Sequence, residues 1–182
     1  TVLGTVGLGY GMMKSLPWLP GYALKCIPND IAKQRLLRHT LGGLPLDRLQ
    51  EVGRDFARNK IPAMLRPDMM GRLRQHQAQG DDCILLSASL DLYLVPWAHT
   101  VGFHDVLCSS LEFDTDQKST GNLKGRNCYG MEKLSRIRDY ISKNKIKYEC
   151  ITSYGDSDGD IPVLKFSDKS YLIHKNSVTL LK

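Results

Sequence analysis

Long hydrophobic runs are missing from this 182-residue sequence. None approaches the roughly 18 apolar residues that a membrane-spanning helix needs. No secretory leader pattern opens the chain, and its first residue is threonine rather than methionine. Cysteine is sparse and unpatterned. Cys26, Cys83, Cys108, Cys128 and Cys150 never form a C-x-x-C pair, which excludes zinc-ligand spacing. Scattered thiols, odd in number, point to a reduced cytoplasmic protein rather than a disulfide framework. Basic residues interleaved with aromatics are also lacking, so nucleic acid is not an expected partner. There is no internal repeat and no low-complexity tract.

What is present is ordinary for a globular chain: 42% hydrophobic and 24% charged residues, enough to bury a core. The formal charge of +6 is lopsided. Residues 1–66 hold ten Lys/Arg against four Asp/Glu, whereas 67–182 hold fifteen of each. A basic N-terminal third is either a solvated helical surface or an attractor of anions, such as a phosphorylated substrate or a phospholipid surface.

Glycines and prolines break the apolar residues 1–27, where Pro17 and Pro20 bracket Trp18, so short helical pieces are expected there. Asn29 or Asp30 caps a helix running towards Gly42-Gly43, and another follows Pro45 with Leu49, Val52 and Phe56 on one face. Pro62 and Pro67 mark a boundary, so 1–66 reads as a small all-helical unit. Beyond it, Asp68 caps a helix ending at Gly80. Residues 83–86 and 105–109 suit short strands, and 111–128 a hairpin. Residues 131–142 form a helix striped by Met131, Leu134, Ile137 and Ile141. Residues 148–154 and 170–174 read as further strands. Strands alternating with helices predict an α/β fold with a Rossmann-like parallel sheet over 67–182.

Three local features carry chemistry. Ser87 and Ser89 follow the apolar run 83–86. A hydroxyl at the C-terminal end of a parallel strand stands where open α/β sheets bind ligands, although a serine there also serves as a turn former or helix cap. Lys133 stands at the start of a helix, where a cation opposes the dipole unless an anion is near. Gly155-Asp156-Ser157-Asp158-Gly159-Asp160 sets three carboxylates in five residues after a strand. They repel one another unless a cation or a lysine neutralises them. Such oxygen ligands suit Mg²⁺, which keeps waters and shares its shell with phosphate. Ile161, Val163 and Leu164 pull this loop onto the core, unlike a plain acidic surface turn. An EF-hand is excluded, because Ile161 stands where glycine is needed and Ser167 where glutamate is needed.

The order of these features resembles the second, third and fourth motifs of the haloacid dehalogenase superfamily, in its phosphoserine-phosphatase-like branch with its phosphatidylglycerophosphate phosphatase members. LLSAS carries Ser87, NCYGMEK carries Lys133, and YGDSDGDIPVL carries Asp156 and Asp160. The text 120–123 and 127–130 is similar too, and the likeness spans about residues 67–176. The resemblance implies a Mg²⁺-dependent phosphomonoesterase with a phospho-aspartyl intermediate and a helical cap formed by 1–66. Asp156 would ligate the metal directly, and Asp160 would ligate it through water or orient Lys133. Ser87, Ser89 and Lys133 would contact the phosphoryl group, with Ser87 and Lys133 catalytic. The cap would choose the substrate, a small phosphate ester or a phospholipid, and its apolar opening segment suggests membrane-surface contact. The first motif of the superfamily, D-x-D-x-T, does not occur here. Asp114-Thr115-Asp116 lies after the second motif and cannot replace it. The nucleophilic aspartate, on a first strand, is therefore expected upstream of Thr1, and the 182 residues alone should be catalytically silent. The competing readings are a non-catalytic module that binds a phospholigand or metal, and, ranked last, a receiver domain. Receivers lack the late acidic loop and the helical insert.

Overall fold

The computed structural model describes residues 29–174 and 177–182. The expectations for 1–27, Trp18 included, lie outside the described residues. Two compact units emerge. Leu86–Ala88 group with Cys128–Lys182, and the described residues up to Leu85 group with Ser89–Asn127. This division by packing does not follow the sequence boundary at residue 66, because the helices before it share cores with segments after it.

In the first unit, α1 (Asn29–Leu41) stops at the glycine pair, where the Gly43 N–H donates to the Ser119 carbonyl at 2.7 Å. Helix α2 (Leu46–Asn59) buries Leu49, Gly53 and Ala57. Its spacing of apolar residues at every third or fourth position creates that face. A short 3₁₀ turn (Ile61–Met64) leads to α3 (Pro67–Ala78), which starts on proline, as suits a first helical position. Asp68 does not cap α3. Arg66 holds the N-cap position, and its guanidinium pairs with Asp68 at 2.7 Å. That hydrogen bond leads the causes that lower the Asp68 carboxyl below its ordinary value.

Strand β1 (Ile84–Leu90) is longer than expected and passes directly into α4 (Asp91–Thr100). Sequence reading missed α4 because it is apolar nearly all round and has Pro96 inside, so no period shows. It is a core helix, with Leu94, Trp97 and Ala98 buried beside Ala57 and Ile61. Helix α2 approaches it so closely at Gly53 that a Cβ there would lie 2.2 Å from the Leu92 carbonyl oxygen. Strand β2 (Asp105–Ser109) neighbours β1. Next, β3 (Leu111–Phe113) and β4 (Ser119–Leu123) form the expected antiparallel hairpin, with Leu111 opposite Leu123.

The second unit contains α5 (Met131–Lys143), β5 (Thr152–Gly155), a 3₁₀ turn (Asp158–Asp160), α6 (Ile161–Phe166), β6 (Lys169–Ile173) and β7 (Val178–Leu180). Strands β5 and β6 are parallel, joined through α6, and β7 returns antiparallel. The paired Tyr154 and Tyr171 stack with ring centroids 4.9 Å apart. Leu164 is the anchor of α6, 2% exposed, which ties the acidic loop to the core as its apolar flank implied. Met131, expected on the buried stripe of α5, is instead 66% exposed. The strand read over 148–154 keeps only its last part, since Glu149 and Cys150 are exposed and irregular. Cys83, Cys108, Cys128 and Cys150 are free thiols, so no disulfide occurs among the described residues. No helix among them is long and apolar enough to cross a membrane.

Candidate active site

The site is built on the C-terminal edge of β5 and the first turn of α5. Gly155 ends the strand, and a Cβ there would meet the Asp160 Cβ at 2.4 Å, so only glycine lets the chain fold back this tightly. Ser157 and Asp160 form a reciprocal capping box around the 3₁₀ turn. Asp160 Oδ2 accepts from the Ser157 hydroxyl at 2.7 Å and from the Asp156 and Ser157 N–H groups at 3.1 Å. Its Oδ1 accepts from Lys133 Nζ at 2.5 Å. Four donors fill the roughly four acceptor sites of a carboxylate.

The pair is nearly dry: the Lys133 and Asp160 side chains are 11% and 12% exposed. Burial pushes the Asp160 carboxyl up, but the hydrogen bonds and charge of Lys133, with help from Ser157 and the Asp156 N–H, prevail and hold it below its ordinary value. It is ionised at neutral pH. Lys133 thus has the anion that its position at a helix start required. Asp156 and Asp158 are exposed, and neither carboxylate has a hydrogen-bond partner among the described residues.

Ser87 does not end its strand. It stands in the middle of β1, which runs on to Leu90. Its backbone N–H donates to Cys128, a fully buried thiol also within the fields of Arg136 and Lys133. Burial is the largest influence and raises the Cys128 thiol above its ordinary value. Cys128 is the residue that sequence reasoning missed: it links Ser87 to the approach of the Lys133 helix. Its place inside NCYGMEK was the available signal. Ser89 falls in the other unit and does not cap α4, whose N-cap residue is Leu90.

Mg²⁺ binds through one or two carboxylates and keeps several waters, so it does not need an all-protein cage. Asp156, exposed at the strand end, fits that demand, while Asp160 is already saturated by donors. No group of three His, Cys, Asp or Glu side chains suited to a metal occurs among the described residues.

A parallel strand that ends in an acidic loop beside a buried lysine–aspartate pair lies at the kind of sheet edge where open α/β folds bind ligands. The family follows: residues 3–165 match the haloacid dehalogenase-like hydrolase model, and the chain belongs to that family. Protein CicA of Caulobacter vibrioides (strain NA1000 / CB15N) is 28% identical over 167 residues, covering 91% of this chain and 73% of that protein. A histidinol-phosphatase of Neisseria meningitidis serogroup C (strain 8013) is 23% identical over 72% of this chain and 60% of its own length. Among solved structures, a Bordetella pertussis Tohama I protein of unknown function superposes with a TM-score of 0.75 at 21% identity, over 85% of this chain and 70% of that one. A phosphoserine phosphatase carrying a phospho-aspartyl intermediate analogue superposes at 0.61 and 14% identity, over 87% and 71%.

Proposed function

We propose that this chain is the core of a Mg²⁺-dependent phosphomonoesterase that works through a phospho-aspartyl intermediate on a small or lipid-linked phosphate ester. The observation that carries the reading is the dry Lys133–Asp160 pair beside the exposed Asp156 carboxylate. Phosphoryl transfer demands charge neutralisation and positioning more than elaborate chemistry. Lys133 has three donors, and Asp160 takes one of them, so two are left to face phosphoryl oxygens. Asp160 orients Lys133 and closes the loop. Asp156 would hold Mg²⁺, which supplies charge stabilisation to the phosphoryl oxygens when bound. Ser87 would donate to a phosphoryl oxygen, a contact whose loss costs roughly 10²–10³ in rate. The basic helices of 1–66 would act as the cap that selects the ester. The phosphatases among the relatives support a small phosphorylated substrate.

A second reading is a module that binds a phospholigand or metal without turnover. The test is phosphate release by the intact protein from phosphoserine and histidinol phosphate, with and without Mg²⁺. Release that requires Mg²⁺ and is lost in Asp156→Ala and Lys133→Ala is expected. Ligand binding without release would establish the second reading, and equal activity in Asp156→Ala would refute the metal assignment.

A further inference from the structure

Tyr129 takes no part in the chemistry above, yet its position is unusual for a tyrosine. Tyr129 is 37% exposed, and its ring lies on the backbone of Gly159, inside the acidic loop. A Cβ on Gly159 would stand 2.3 Å from one ring carbon and 2.6 Å and 2.8 Å from two others. Gly159 itself is buried, although its neighbours Asp158 and Ser157 are exposed. The ring is therefore part of what keeps water off this stretch of backbone. The next residue completes the contact: the Gly130 N–H donates to the Gly159 carbonyl at 3.1 Å. A bond shielded from water by an aromatic ring is harder to exchange for bonds to solvent.

We infer that Tyr129 and Gly159 form a clasp that fixes the acidic loop, making Tyr129 a positioning residue for Asp156 and Asp160. The clasp acts on Gly159, whereas the Asp160 carboxylate ties the loop through Ser157 and the Asp156 N–H. With both in place, Asp160 is held towards Lys133 while Asp156 stays exposed at the strand end. With the ring removed, the loop keeps its carboxylate bonds but loses the cover on Gly159. Asp156 then samples several orientations, and a cation needing one well-placed carboxylate binds more weakly. The Tyr129 hydroxyl has no hydrogen-bond partner among the described residues, so the ring and not the phenol does the work.

The consequence for metal rests on the phosphatase reading, whereas the effect on the loop does not, and two measurements separate them. Amide hydrogen exchange on the metal-free chain should rise at Gly130, Ser157 and Asp160 by about tenfold or more in Tyr129→Ala, and stay at wild-type rates in Tyr129→Phe. Helix α2 should be unchanged in both, which excludes general unfolding. Unaltered exchange in Tyr129→Ala, or equal acceleration in Tyr129→Phe, overturns the clasp. Titration with Mn²⁺ as the probe, followed by electron paramagnetic resonance, should show several-fold weaker binding in Tyr129→Ala, near-normal binding in Tyr129→Phe and none in Asp156→Ala. If Asp156→Ala binds Mn²⁺ like wild type, the metal reading fails and the exchange result alone decides the clasp. If Asp156→Ala loses binding but Tyr129→Ala does not, the positioning role is refuted.

Discussion

Replacing Asp160 with alanine should be one of the most destabilising single changes available in the second unit. Its side chain and that of Lys133 are 12% and 11% exposed, so solvent screens their interaction little. The substitution strands the Lys133 ammonium without its carboxylate. It also strips the acceptor from the Ser157 hydroxyl and from two backbone N–H groups. Breaking a buried pair from one side costs roughly 3–5 kcal/mol. The three additional donors place Asp160→Ala at the upper end, about 4–5 kcal/mol. Lys133→Ala should cost less, about 2–3 kcal/mol, because Asp160 keeps three donors and only one charged hydrogen bond is lost. Urea unfolding followed by circular dichroism reads the difference. With a slope of about 3 kcal/mol/M, the midpoint falls by about 1.5 M for Asp160→Ala and by less than about 1 M for Lys133→Ala. A loss below about 1 kcal/mol for Asp160→Ala, or the reverse order, would refute the argument that Asp160 is the hub of the loop.

The same carboxylate sets an acid limb. Its native pKa is lowered, so its contribution is complete above the ordinary value of 3.8 and disappears as pH falls through the native value. Urea midpoints of wild type and Asp160→Asn should therefore differ at about pH 5–8 and converge in strong acid; a gap that persisted there would contradict the shift. Asp156→Ala removes an exposed carboxylate and should leave the midpoint within about 0.5 kcal/mol of wild type. A larger loss would mean that Asp156 has a structural role. Gly53→Ala drives a methyl group into the Leu92 carbonyl and should cost about 1–3 kcal/mol by overpacking, measurable as a lowered Tm. A neutral or stabilising result would show that α2 and α4 can separate cheaply.

Local order was legible where the sequence has a period or punctuation. Helices α1, α2 and α5 follow from apolar spacing and from the glycines and prolines around them, and the hairpin follows from its turn-rich text. Helix α4 was not legible, since a helix buried nearly all round shows no stripe. Family membership was also written in the sequence, because the order of LLSAS, NCYGMEK and GDSDGD is a covalent property of the chain. Only the tertiary structure decided how the three loop carboxylates divide their labour. Asp156 and Asp158 face water, while Asp160 turns inward to Lys133, 27 residues earlier. Spacing cannot reveal this, because burial and partner geometry set which charge is neutralised, and both arise only when α5 packs beside the loop. The placement of Tyr129 on Gly159 has the same origin: a ring can lie there only because the fold brings a residue without a side chain beneath it.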